Sequence, residues 1–248
     1  MAMRRNLLLA TATALAVSFW RGASARAEGR PEEGGVAKPR RPQELEAEVR
    51  RLSAKVEALA AQAQAAEDYI AIGNLQRAYG YYVDKARWDD AADLFAQDCS
   101  LEINGRGVFL GQDRVRQYMH RFGPAQHGQV FNHMQLQPVI HVAPDGLSAK
   151  ARWRAFIQVG ELSKTARWGE GTYENAYVKE DGIWKIRSLH FYQTYYVDYY
   201  AGWDKGALPL VPEYADFPPD RPPSEDYKVF PDFFVPAYHY KNPVSGRG

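Results

Sequence analysis

The chain has 248 residues, 46% hydrophobic and 25% charged, which excludes a wholly disordered chain and a polytopic membrane protein. Lys and Arg number 31 against 30 Asp and Glu, a net charge of +1, so no field of one sign exists to recruit nucleic acid. The single cysteine, Cys99, excludes an internal disulfide and any multi-cysteine metal or iron–sulfur centre.

Residues 1–27 read as an export signal. Arg4 and Arg5 supply the positive start, residues 7–20 form an apolar run too short to span a bilayer, and Ala23-Ser24-Ala25 and Ala25-Arg26-Ala27 are small-residue cleavage candidates. The run Arg4-Arg5-Asn6-Leu7-Leu8 also resembles a twin-arginine signal. The expectation is a periplasmic protein with no membrane contact once the signal is removed. Residues 28–43 are a Pro/Gly/charge linker. Over 44–66 the pattern becomes helical: Leu45, Val49, Leu52, Val56, Leu59, Ala63 and Ala66 recur at steps of four and three, and Ile70 continues the series. That a/d seam reads as a coiled coil joining protomers into a homo-oligomer, with Val at a and Leu at d favouring two strands. The alternative is an amphipathic helix lying on its own domain.

Residues 67–197 read as one α+β domain. Helical spacing persists over 68–95, with a second helix starting at the acidic Asp89-Asp90. Residues 98–104 alternate as a strand, Gly105 and Gly107 mark a turn, and 112–122 form a short helix. Strands follow at 131–142, 147–162, 169–179 and 183–195, with turns at Pro144-Asp145-Gly146 and Glu180-Asp181-Gly182. Helices first and long antiparallel strands after define the α+β class, and a strongly bent sheet with helices across its concave side encloses a pocket. Residues 198–248 form an arm rich in rings and containing nine prolines, too aromatic for a disordered tail. It is expected to lack regular structure and to pack on the domain or a neighbouring subunit, either as surface packing or as a cover over the pocket. The 16 Tyr, 11 Phe and 6 Trp suit a ring-bearing organic ligand and equally an aromatic core.

Several motifs in the domain carry a family resemblance. Tyr82-Val83-Asp84-Lys85-Ala86-Arg87-Trp88, Leu94-Phe95, Asp98, Asn132-His133, Gly171-Thr172-Tyr173 and Asp181-Gly182-Ile183-Trp184-Lys185-Ile186 resemble the SnoaL-like branch of the nuclear transport factor 2-like superfamily. That branch includes scytalone dehydratase, hexachlorocyclohexane dehydrochlorinase, bile acid 7α-dehydratase and lignin diaryl γ-formaldehyde lyases. The resemblance implies a cone-shaped, curved mixed sheet around a cavity closed by helices, and an assembly that is often trimeric. It also implies an acid/base dyad, in which a carboxylate late in the first helix hydrogen-bonds a strand histidine and that imidazole removes a substrate proton without a cofactor. Asp84 and His133, 49 residues apart, match those positions. The chemistry agrees: elimination needs a base with a pKa near working pH, and a buried carboxylate orients and stabilises an imidazole.

The remaining site candidates are substrate contacts. Tyr81 and Tyr82 lie within a turn of Asp84, as does Tyr79, and Tyr81 shares its helix face better than Tyr82. Tyr173 matches a substrate-orienting position of the dehydratase, and alternation puts Gly169, Gly171, Tyr173 and Asn175 on one face, the glycines widening a cavity. Ile103, or an apolar neighbour, replaces the tyrosine that holds water in the dehydratase. Trp153 is a ring-stacking wall or core; Arg152 and Arg154 alternate against it. His190 is a second acid/base group or, by alternation from Leu189 and Phe191, faces away. His120, His127, His141 and His239 have no paired context. No metal-ligand spacing, phosphate loop or nucleophile elbow occurs. The expected activity is a cofactor-independent lyase with no metal, eliminating water or formaldehyde from a hydrophobic substrate such as a phenolic lignin-type diaryl compound or a hydroxysteroid. The competing reading is a non-catalytic ligand-binding or oligomerisation module.

Overall fold

The computed structural model describes residues 41–248, so the expected export signal and nearly all of the expected linker lie outside the described residues. Helix α1 (Pro42–Asp84) starts with proline, whose missing N–H costs nothing in a first turn. The Glu44 carboxylate reaches back to accept from the Arg41 N–H at 3.2 Å. The chain divides into two compact units, one ending at Val49 and one covering Arg50–Gly248. In the first, Leu45 and Val49 are exposed. In the second, Leu52, Val56 and Leu59 of the seam are also exposed, so this stretch does not lie on its own domain. Among the described residues no helix is long and apolar enough to cross a membrane.

From Asp68 onward α1 buries one stripe, Asp68, Ile72, Gly73, Gln76, Tyr79, Gly80 and Val83, at the spacing of one helix face. Asp68 pins this half to the sheet. Its carboxylate pairs with Lys179 at 2.5 Å and accepts from the Trp184 indole at 2.9 Å and from Gln64 at 3.1 Å. Burial alone would raise its pKa, but these donors outweigh burial and hold it below the usual carboxylate range.

Helix α2 (Trp88–Asp93) is followed by strand β1 (Phe95–Ile103), a short β2 (Val108–Leu110) and helix α3 (Gln112–His120). Four long strands follow: β3 (Gln129–Val142), β4 (Ser148–Glu161), β5 (Thr165–Glu180) and β6 (Ile183–Asp198). They form one curved, unclosed sheet in the order β2-β1-β6-β5-β4-β3. Only β1 and β6 run parallel, so the sheet is mixed. The β5–β6 hairpin turns on Asp181 (φ 52°) and Gly182 (φ 79°), both left-handed, which matches the twist of the strands. Trp153, Ile157, Tyr177, Ile186, Leu189 and Phe191 from the sheet meet Ile72, Ala91, Val115 and Met119 from the helices in one core.

The arm after β6 has a single 3₁₀ turn (Trp203–Lys205) and otherwise no regular element. It packs on its own domain. Phe217 stacks on Phe109 at 5.3 Å under the Arg114 guanidinium, which stands 3.9 Å from the Phe217 ring centre. Tyr227 accepts from the Gln193 N–H at 2.9 Å, and Ser224 bonds both oxygens of Glu102.

Candidate active site

The concave face of the sheet, α1 and α3 enclose a cavity of about 290 Å³, near the lower end of small-molecule pockets. Eight aromatic rings line it: Tyr79, Trp88, Tyr118, Phe122, Phe131, Tyr173, Phe191 and Tyr196. The arm adds Leu208, Pro209 and Val211, so its first stretch closes part of the cavity while the remainder packs elsewhere. His133 is the only histidine on the lining.

Asp84 and His133 do meet, but not through the imidazole. Asp84 is the last residue of α1, and its Oδ1 accepts from the backbone N–H of His133 at 2.6 Å. The cause is strand order. β3 is an edge strand, so alternate main-chain groups point away from β4 and need other partners. At His133 both are supplied by side chains: Asp84 takes the N–H, and the Gln135 amide donates to the carbonyl at 2.9 Å. Gln135 also accepts from Gln76 at 2.8 Å, and the Gln76 oxygen receives Asn175 and the Tyr177 hydroxyl, so a buried polar chain ties α1 to β3 and β5. Gly80 permits this closeness, because a Cβ there would stand 2.9 Å from Gln135 Cγ and 3.0 Å from the His133 carbonyl oxygen.

The imidazole lies against Phe131, ring centres 4.4 Å apart, and its Nδ1 is buried without a hydrogen-bond partner. Burial lowers its pKa from 6.5 to about 4, opposed by the backbone of Phe131, so the ring is neutral at pH 7. Burial raises the Asp84 pKa, opposed by the His133 N–H and by Lys85. Tyr118 accepts from Arg106 at 2.7 Å, and burial pushes its hydroxyl up to about 12 against the pull of Arg106. It therefore keeps its own hydrogen available to donate. Burial likewise raises the pKa of Tyr173.

The other expected contacts divide. Tyr173 reaches the cavity as its alternation requires, and Ile103 lines it too. The glycines on the Tyr173 face do not widen the cavity: the Tyr196 ring occupies the space a Cβ of Gly169 would need, and the Phe191 ring that of Gly171. They seat two of the lining rings. Tyr81 is 71% exposed and lines no part of the cavity. It shares a face with Asp84, but the cavity face of α1 is that of Tyr79 and Val83, one turn apart. Tyr82 packs beside the core with the Arg87 guanidinium 5.5 Å over its ring and is likewise off the lining. Trp153 is core, its indole N–H donating to Tyr177 at 3.0 Å. His190 stands on the opposite sheet face, where register sets Glu102, His190, Glu174 and Arg152 side by side beneath the arm. Its Nε2 lies 3.5 Å from Glu102, and His239 of the arm meets Glu174 at 3.0 Å.

Asn104, Arg106 and Gln193 line the cavity without having been legible as site residues. Alternation from Phe191 reaches Gln193, a signal present in the sequence. Asn104 and Arg106 sit in the β1–β2 turn, where no periodicity applies.

A curved mixed sheet closed by helices over an aromatic cavity with one buried imidazole defines an α+β cone of the nuclear transport factor 2-like class. The sequence profile of the SnoaL-like domain matches residues 64–190, and the chain belongs to that family. Among solved structures it is similar to a scytalone dehydratase-like protein of Novosphingobium aromaticivorans, at 18% identity and TM-score 0.52 over 62% of this chain and 97% of that one. It is also similar to the type-3 hexachlorocyclohexane dehydrochlorinase LinA of Novosphingobium barchaimii, at 16% identity and TM-score 0.50 over 55% and 93%. No curated protein matches the sequence.

Proposed function

We propose that the chain is a cofactor-independent lyase in which His133 takes a proton from a hydrophobic, ring-bearing substrate and water or formaldehyde departs. The proton comes from carbon where water alone is lost, and from a hydroxymethyl O–H where formaldehyde is lost, the C–C bond then breaking and its electron pair forming a C=C bond as the neighbouring hydroxyl leaves as water. The observation that carries the reading is the buried, unpartnered Nδ1 of His133 on the lining of an aromatic cavity. In the dehydrating form the imidazole takes the proton and the C–H electron pair becomes the new C=C bond. The neighbouring C–O bond breaks as that C=C bond forms, and the departing oxygen is protonated to water. Tyr118 is the lining hydroxyl suited to that protonation, and the imidazolium proton restores it through solvent. Asp84 is a positioning residue, holding the His133 main chain. General base catalysis of this kind contributes about 10²–10⁴-fold. Positioning in the aromatic cavity supplies the rest.

The names of the two similar structures denote eliminations, which supports the reaction class. The substrate is a phenolic diaryl compound or a hydroxysteroid. The same reading has the chain exported through 1–27 and self-associating through 44–66, with the exposed Leu52, Val56 and Leu59 as support. Incubation without cofactor with both substrate classes is expected to give new conjugated absorbance or released formaldehyde, and His133→Ala to lose turnover while still binding. Wild-type turnover in His133→Ala overturns the assignment. Tight binding with no turnover by the wild type makes the protein a carrier.

A further inference from the structure

Among the described residues, four buried side-chain polar atoms have no hydrogen-bond partner: Asn104 Oδ1, Arg106 Nε, His133 Nδ1 and Gln193 Oε1. All four belong to residues lining the one cavity. A buried polar group left unpaired costs about 1–3 kcal/mol, so four at one place mark a surface shaped for something that pairs them.

Their placement is ordered. Ile103 pairs with Phe191 across β1 and β6, and the Asn104 N–H reaches the Phe191 carbonyl at 3.4 Å. Asn104, Arg106 and Gln193 therefore gather at the β1/β6 side, while His133 sits on β3 at the far edge of the sheet. Asn104 and Gln193 are 5% and 2% exposed, so their oxygens have no recourse to bulk water. The orientation of the Gln193 amide is fixed, because its Nε2 donates to the Leu208 carbonyl at 3.3 Å and leaves the oxygen as the free end. Arg106 is held by the Tyr118 hydroxyl and lies 5.0 Å over the Tyr214 ring, and its Nε is a buried donor without a partner.

This end of the cavity thus offers two neutral acceptors and one cationic donor. A carboxylate satisfies the donor and leaves both amide oxygens unpaired. An ammonium satisfies the acceptors and is repelled by Arg106. An aryl ether accepts from Arg106 and donates nothing. A hydroxyl does both, and a pair of adjacent ring hydroxyls satisfies all three atoms: each O–H donates to one amide oxygen and one oxygen accepts from Arg106. Arg167, the other cation on the lining, is exposed and screened by solvent.

We propose that Asn104, Arg106 and Gln193 form a recognition site for an uncharged, hydroxylated aromatic ring, which sets the orientation of a substrate whose other end meets His133. The proposal rests on the lyase reading only for the role of His133; the recognition site stands without it.

The test uses unreactive probes on the whole protein, with tryptophan fluorescence or calorimetry as the readout. Catechol is expected to bind tighter than phenol, and both tighter than 1,2-dimethoxybenzene and benzoate. Arg106→Gln is expected to weaken catechol roughly 10- to 100-fold, the range for losing a charge-assisted hydrogen bond, and to leave dimethoxybenzene within about twofold. Gln193→Leu is expected to act in the same direction, its folding checked by thermal melting. The wild-type probe series decides the matter even where a variant fails to fold. Equal affinity for catechol and dimethoxybenzene, or tighter binding of benzoate, overturns the recognition site and leaves the lyase reading intact. Selective catechol binding with no turnover of any hydroxylated substrate upholds the site and removes the lyase reading.

Discussion

A neutral imidazole buried at His133 has a measurable acid signature. Its pKa falls from 6.5 in the unfolded chain to about 4 in the folded one. Between those values the unfolded chain binds a proton that the folded chain does not, so stability is complete above pH 6.5 and is lost as pH falls toward 4. The full span is about 3 kcal/mol, less what solvent screening removes at a half-buried residue. At pH 5 the loss is about 2 kcal/mol, or roughly 4–8 °C in Tm for a domain of this size. Asp84 works against this, because its raised pKa adds stability at low pH that is lost as pH rises through the folded value. His133→Gln keeps Asp84, so the difference between the two chains cancels the Asp84 share. Melting curves at pH 7 and pH 5, for the wild type and His133→Gln, isolate the effect. The wild type is expected to lose several degrees more than the variant. An equal loss in both would mean that His133 is solvated or already paired, and would remove the buried base on which the site depends.

Three further outcomes follow from the geometry. Asp84→Asn keeps an acceptor for the His133 N–H and is expected to cost about 1 kcal/mol in denaturant melts, whereas Asp84→Ala strands that N–H and costs about 1–3 kcal/mol. Because the bond goes to the main chain, Asp84→Asn is expected to keep turnover within about tenfold; a carboxylate that oriented the imidazole itself would lose on the order of 10⁴-fold. Gly80→Ala gains helix propensity but drives a methyl against the His133 carbonyl, and overpacking is expected to win by about 1–2 kcal/mol, read as a lowered urea midpoint. Removal of residues 44–66 is expected to reduce the oligomer mass in light scattering while the domain melt persists; an unchanged mass refutes assembly through the seam.

The legible part of the fold is the part that periodicity writes. The alternation of β4, the Asp181-Gly182 hairpin and the helical run into Asp84 each follow from local rules and stand in the structure as read. Strand β2 was not legible because three residues carry no period. In the site, the meeting of Asp84 with His133 was legible through family resemblance, but the atom involved was not, since it depends on β3 being the edge of the sheet. Tyr196 escaped for another reason. The β5–β6 register slips between Gly171 and Glu170, which pair with Gln193 and Tyr195, so the inward parity that runs through Phe191 and Gln193 shifts by one before Tyr196. Simple alternation from Phe191 would have turned Tyr196 outward.

A pKa near 4 looks weak for the base of the proposed reaction, but that value reflects burial of the ring with no negative charge developing beside it. Burial lowers it because an imidazolium there has no counter-charge, and the cavity offers none of its own. In the proposed reaction, proton abstraction would create that counter-charge: as the substrate carbon lost its proton, negative charge would develop beside the ring that receives it. In a low-dielectric chamber the attraction between the two is far larger than in water. Imidazolium is thus disfavoured before the reaction and favoured during it, which is the difference between ground and transition state that accelerates a chemical step. Arg106 extends the same logic to the far side of the ring system, where a cation beside an aryl hydroxyl steadies charge that delocalises onto its oxygen. On this account hydroxylation of the ring matters to rate as well as to affinity, and substrates methylated at that oxygen are expected to show a lower kcat together with a higher KM.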